Sequence, residues 1–204
     1  MSFNGWEQKI TESNNVIVRN NFIHHNANGI WFDANNTAVQ IYDNRLEDNS
    51  HVSIWYEIST GGEIRNNTIR RSGDAGVFIS TSKNTTVHHN LLEDNFRGIT
   101  YFVNCASVGG GAINFDLANV SSFDNAINIS SNSASGSIAA LFSYAGACTP
   151  LQVEPYKFGQ KALTFTHNAY DVVNPLSNVN WYWDGFKFWS EWQALGHDTT
   201  GTAQ

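Results

Sequence analysis

The chain has 204 residues, 41% of them hydrophobic and 13% aromatic, enough for one large domain or two small ones around a buried core. Eleven Lys and Arg against 18 Asp and Glu leave a formal charge of -7, which argues against a nucleic-acid partner, since that requires a basic stripe to displace counterions. The same balance disfavours strongly anionic polymers unless a cation such as calcium stands between, and no run reaches the ~18 apolar residues of a membrane-spanning helix.

From residue 4 onward one small frame recurs. Asn21, Asn44, Asn67 and Asn90 are spaced by 44−21, 67−44 and 90−67, each 23. Three residues before them stand Val18, Ile41, Ile64 and Val87; two after stand Ile23, Leu46, Ile69 and Leu92. A third segment follows as "GIWF", "SIWY", "GVFI" and "GITY", starting at Gly29, Ser53, Gly76 and Gly98. Alternation of period two within each segment predicts strands. Three short strands per 23 residues leave no room for a crossover helix, and the leucine-dense consensus of a leucine-rich repeat is missing. The prediction is a coil of three strands per turn, stacked into three parallel sheets with neighbouring coils about 4.8 Å apart. The repeated Asn is placed at a bend between strands, in the left-handed conformation, and bonded to its neighbours as a ladder.

The repeated "I-x-x-N-x-I" frame followed by a Gly-led strand resembles the right-handed parallel β-helix of the pectate-lyase-like superfamily. The resemblance covers roughly residues 4–104, with "FTHNAY" at Phe165–Tyr170 as a later coil. It implies an all-β, three-sheet solenoid and an extracellular or cell-surface location. It leaves the activity open, because lyases, hydrolases, epimerases, esterases and non-catalytic proteins share that fold.

One β-helix domain is therefore expected over 1–204: regular coils at 4–104, irregular coils with insertions at 105–175, and a cap at 176–204. The start, "MSFNGWEQKITES", shows neither a signal peptide nor an amphipathic cap. An uncapped end exposes unpaired strand edges, so self-association or a partner is expected there, and a clean monomer at high concentration by light scattering would oppose it. "GGG" at 109–111 reads as a turn, because no G-K-S/T pattern follows it. Cys105 and Cys148 leave two readings open, one bridge or two buried thiols. Near the end, Ser190 with Gln193 fits a capping box and Gly196 a stop, predicting a helix at 191–195. Its neighbours Trp181, Trp183, Phe186, Phe188, Trp189 and Trp192 read as a plug for the open end rather than a sugar platform. "SEWQALGHD" also resembles the closing segment of secreted bacterial β-helix carbohydrate-active proteins.

Candidate chemistry lies in two places. His24-His25, Glu47-Asp48, Arg70-Arg71 and Glu93-Asp94 stack as alternating charge, which is structural; His88-His89 face a turn. The Gly-led strand is different. Alternation turns Trp31, Trp55 and Phe78 outward beside Asp33 and Glu57. The carboxyl pair has three readings: acid and nucleophile or base on a glycosidic bond, ligands of a calcium ion, or a pair covered by the insertion after Asn104. His51, Arg97 and Lys83 flank the same side, as base or cation, and Asp74 stands just before its strand. Sugar rings stack on exposed aromatics, so Trp31, Trp55, Phe78 and Lys83 are the predicted substrate-binding residues, and Asp33, Glu57, His51 and Arg97 the predicted catalytic ones. The leading function, implied by the resemblance, is a secreted protein that binds or cleaves a polysaccharide by lyase or glycosidase chemistry. The alternative is a non-catalytic module such as part of an adhesin.

Overall fold

The computed structural model describes residues 2–3, 9–104, 116–129, 139–143, 148–157 and 159–204. Cys105, the turn at 109–111 and the opening of the regular coils at 4–8 lie outside them. Among the described residues three sheets of eight, eight and six strands form a right-handed parallel β-helix. Sheet A runs from Ser2–Phe3 through Phe22–His24, Arg45–Glu47, Thr68–Arg70, Leu91–Glu93, Ala126–Ile129 and Ala169–Val172 to Thr202–Ala203. Sheet B holds Lys9–Ile10, Ile30–Phe32, Ile54–Glu57, Ala75–Ser80, Arg97–Val103, Ala139–Ser143, Trp181–Trp183 and Phe186–Lys187. Sheet C holds Ile17–Arg19, Gln40–Tyr42, Glu63–Arg65, Lys83–His88, Ala118–Phe123 and Leu163–Thr166. The pairings are parallel except the last of sheet B, where Phe186–Lys187 turns back on Trp181–Trp183.

The predicted columns are the core. Ile23, Leu46, Ile69, Leu92, Ile127 and Tyr170 stand in register along sheet A. Ile30, Ile54, Val77, Ile99, Ala139 and Trp181 do so along sheet B. All are buried, and each large aliphatic member contributes roughly 1.5–3 kcal/mol by leaving water. Gly29 opens its strand because a Cβ there would lie 2.5 Å from Ser53 O, so the next coil's backbone leaves no room for one.

All three corners carry polar ladders. Between sheets C and A, the backbone N–H and Nδ2 of each Asn donate to Oδ1 of the next, through Asn21, Asn44, Asn67, Asn90, Asn125 and Asn168. Gaps of 125−90 = 35 and 168−125 = 43 mark where the later coils carry insertions. The ladder's donors all point one way, so its last rung needs an acceptor. Asp198 is that acceptor, taking Asn168 N–H at 3.0 Å and Nδ2 at 2.9 Å, with Tyr170 Oη and Trp192 Nε1 donating to its other oxygen. Burial pushes the Asp198 carboxyl above its ordinary value, and these donors oppose the shift. Between sheets A and B run Asn26, Asn49, Ser72 and Asn95, joined by Ser53. Between B and C run Ser13, Asn36, Ser59 and Ser82.

The left-handed residue is not the ladder Asn, as predicted, but the one before it: Asn20, Asp43, Asn66, His89, Asp124 and His167 have φ of 52–56°. The ladder Asn keeps its side chain for the neighbouring coil, and the preceding residue takes the bend. The C-terminal helix is also displaced. Glu191 Oε2 accepts from Phe188 N–H at 2.7 Å, so Glu191 fills the role assigned to Gln193 and the helix spans Trp189–Ala194. Gly196, at φ 90°, ends it as expected. Trp181, Trp183 and Trp192 are buried in the main core and close the end of the coil. A second helix, Pro150–Lys157, was not foreseen. Cys148 is disulfide-bonded; the other half of the predicted pair, Cys105, lies outside the described residues.

Candidate functional site

The outer face of sheet B is built from two rows. Lys9, Trp31, Trp55, Phe78 and Thr100 are in register across five coils. Two residues further along the strands come Asp33, one position past Phe32, then Glu57, Ser80 and Phe102 in register. The inward neighbours Phe32, Tyr56, Ile79 and Tyr101 are fully buried, so alternation forces both rows outward.

The rows close along the axis. Phe78, Ser80 and Thr100 point out yet are buried, and Val52, Ala75 and Phe78 form a second apolar cluster with Trp55 and Phe102 packed on it. Phe78 was predicted as an exposed aromatic; it is instead part of this packed outer layer. Solvent reaches the face at Trp31, Asp33, Trp55 and Glu57, which are half-buried.

Ring orientation restricts the predicted sugar stacking. Trp31 and Trp55 stack on one another, with centroids 4.5 Å apart and planes 10° from parallel. Lys9 Nζ sits 4.5 Å from the centre of the Trp31 ring, and Phe78 meets Trp55 edge-on at 5.5 Å. The indole faces are therefore occupied within the protein, and a ligand takes a Trp31 face only by displacing Lys9.

The carboxyl pair lies beside this stack. Glu57 accepts from Trp31 Nε1 and from the Ser80 hydroxyl, each at 3.3 Å. Burial, then the neighbouring Asp33 charge, push the Glu57 carboxyl above its ordinary value. Asp33 is ion-paired with Lys9. Ile58, directly after Glu57, holds a left-handed φ of 48°, which a β-branched side chain rarely adopts. The described residues contain five buried side-chain polar atoms without a partner, and three of them, Asp33 Oδ1, Trp55 Nε1 and Thr100 Oγ1, belong to this face. Each costs roughly 1–3 kcal/mol, so the face is less completely satisfied than the rest of the fold.

The other predicted members lie elsewhere. Arg97 pairs with Ala75, five residues along the strand from Phe102 in the Glu57 row, about 16 Å away at ~3.3 Å per residue. Its guanidinium is held by Asp74, with Nε at 2.6 Å. His51 is exposed in the turn before the same end of the sheet. Neither reaches Asp33 or Glu57. Lys83 starts a strand of sheet C, 4.0 Å from Asp116, which also binds Lys161 and the Tyr156 hydroxyl. Calcium fits the pair poorly: two carboxylates and the Ser80 hydroxyl are few of the 6–8 oxygens it takes, and Lys9 already supplies a cation.

The charged column on sheet A is as read from the sequence. Arg70 bridges Glu47 and Glu93, Arg45 Nε meets Glu47 at 2.6 Å, and Arg71 Nε meets Asp48 at 2.6 Å. His24 stands in register with Glu47. Sheet C carries a row the sequence reading missed. Arg19 and Arg65 cover the Tyr42 ring at 5.9 and 4.0 Å, and His88 stacks on Phe123 at 4.7 Å and 6°. The signal was available, since Arg19, Tyr42, Arg65, His88 and Phe123 each lie two residues before a ladder Asn.

A family model described as right handed beta helix region matches residues 8–146, more than half of the chain. No curated protein and no solved structure matches the chain significantly.

Proposed function

The chain belongs to the right handed beta helix family, and from that premise we propose a secreted, carbohydrate-active protein, similar to the pectate-lyase-like superfamily, that engages a polysaccharide along the outer face of sheet B. The observation that carries this reading is the Trp31–Trp55 stack beside Asp33 and Glu57 in consecutive coils. Once Lys9 moves aside, the Trp31 face with carboxyl groups at its edge suits a sugar's C–H face and hydroxyls together. The disulfide at Cys148 supports an oxidising compartment.

For cleavage the two carboxyls have different environments. Glu57, its carboxyl raised by burial, is suited to give a proton to a leaving oxygen. Asp33, ion-paired with Lys9, is suited to act as the charged partner. A second reading, a non-catalytic binding module, is favoured by one observation: Asp33 is engaged by Lys9, so its carboxylate must be released before it acts. A glycan panel that reads binding, new reducing ends and unsaturated ends separates the two. Cleavage predicts products from the parent and none from Asp33→Asn/Glu57→Gln. Binding without new ends identifies the module, and no binding by any glycan rejects both.

A further inference from the structure

Lys9 shows what the Trp31–Asp33 corner holds. Its ammonium lies on the Trp31 ring and is ion-paired with Asp33. An indole face on one side and a carboxylate on the other select a compact cation over a neutral or anionic group. Lys9 is ion-paired with only one of the two carboxyl groups. Glu57 receives neutral donors, the Trp31 N–H and the Ser80 hydroxyl, and Asp33 Oδ1 is buried with no donor. Lys9 is also loosely placed, on the two-residue strand Lys9–Ile10 with its side chain 43% exposed. It can leave the ring by turning about its own side-chain bonds, which uncovers Trp31 and Asp33 together.

We infer, building on the saccharide reading above, that the ligand is a polysaccharide carrying free amines, whose ammonium groups replace Lys9 on Trp31 and meet Asp33 and Glu57. The chain's own lysine is a tethered stand-in for the ligand's amine and competes with it. The net charge of -7 draws a polycation toward the protein. Asp33 and Glu57 stand in consecutive coils about 4.8 Å apart, so an amine-bearing sugar on the uncovered Trp31 face meets both carboxyl groups. A lysine-rich peptide offers the ammonium without the sugar ring, and the broad Trp31 face that Lys9 uncovers favours the sugar.

The test is a tryptophan-fluorescence titration of the whole chain with equal-length oligomers of glucosamine, N-acetylglucosamine, glucose and galacturonate, and with oligolysine. The glucosamine oligomer is expected to bind about tenfold more tightly than its acetylated form. Lys9→Ala should tighten the glucosamine oligomer more than the acetylated one. Lys9→Gln, which keeps the stem over Trp31, should shift affinity in the same direction, and a thermal melt of each variant checks folding. Equal binding of the glucose or galacturonate oligomers overturns the amine requirement and leaves the saccharide reading standing. Oligolysine binding as tightly as the glucosamine oligomer overturns the sugar. Binding of no oligomer, by the parent or by Lys9→Ala, overturns this inference and the saccharide reading together.

Discussion

Sheets A and B each carry a glutamate on the outside of the same coil, ten residues apart, and their surroundings are opposite. Glu47 on sheet A lies among Arg45, Arg70 and Arg71. Glu57 on sheet B lies beside another carboxylate and has neutral donors. The Arg45 hydrogen bond is the largest influence on Glu47 and holds its carboxyl below the ordinary value, while burial pushes that of Glu57 above it. A column whose charges are matched coil by coil stabilises the stack. A face that keeps two carboxyl groups together and leaves polar atoms unpaired gives up stability, a pattern that the proposed function would explain.

The largest predicted effect tests the frame that holds both faces. Asn67 accepts from the N–H and Nδ2 of Asn44 and has the Asn90 Oδ1, Ile41 O and Arg65 O acceptors around its own Nδ2. Asn67→Leu strands these groups in the buried corner and should cost about 3 kcal/mol in a urea melt. A loss below ~0.5 kcal/mol would mean that the strands alone set the coil.

Next, Glu47→Gln should cost about 1–2 kcal/mol, a figure kept low because its arginine partners are partly exposed to solvent. A neutral result would remove the distinction between the faces.

The pH dependence sharpens the comparison through its sign. The folded carboxyl of Glu47 is depressed, so its contribution is present above the ordinary value of 4.5 and is lost as pH falls through the folded value. That of Glu57 is raised, so its contribution is present below 4.5 and is lost as pH rises through the folded value. Stability-against-pH curves of Glu47→Gln and Glu57→Gln, each subtracted from the parent, should slope in opposite directions. Parallel slopes would contradict the assigned surroundings.

The period of 23, the sheet columns and one ladder were legible because each repeats a residue type at fixed spacing. The other two ladders were not. They mix Asn26, Asn49 and Asn95 with Ser72, and Asn36 with Ser13, Ser59 and Ser82, so no single letter runs unbroken through either. Alternation told which way Trp31 and Trp55 point, but a rotamer decides whether indoles lie flat on the sheet or stack on each other, and period two does not encode it. Likewise Arg97 and His51 fall on the correct side of the chain path and the wrong end of the strands, because distance along a strand is lost when only the outward side is read. Asp198 was missed because a ladder of asparagines gives no hint that its last acceptor is a carboxylate.

The smallest stability change accompanies the largest change in function. Asp33→Asn/Glu57→Gln removes a like-charge pair, so the melting temperature should hold or rise slightly. The decisive measurement is that midpoint together with glycan affinity on the same double variant. An unchanged or raised midpoint with binding lost is the predicted result. A lowered midpoint with binding retained would contradict it and make the Asp33–Glu57 pair structural.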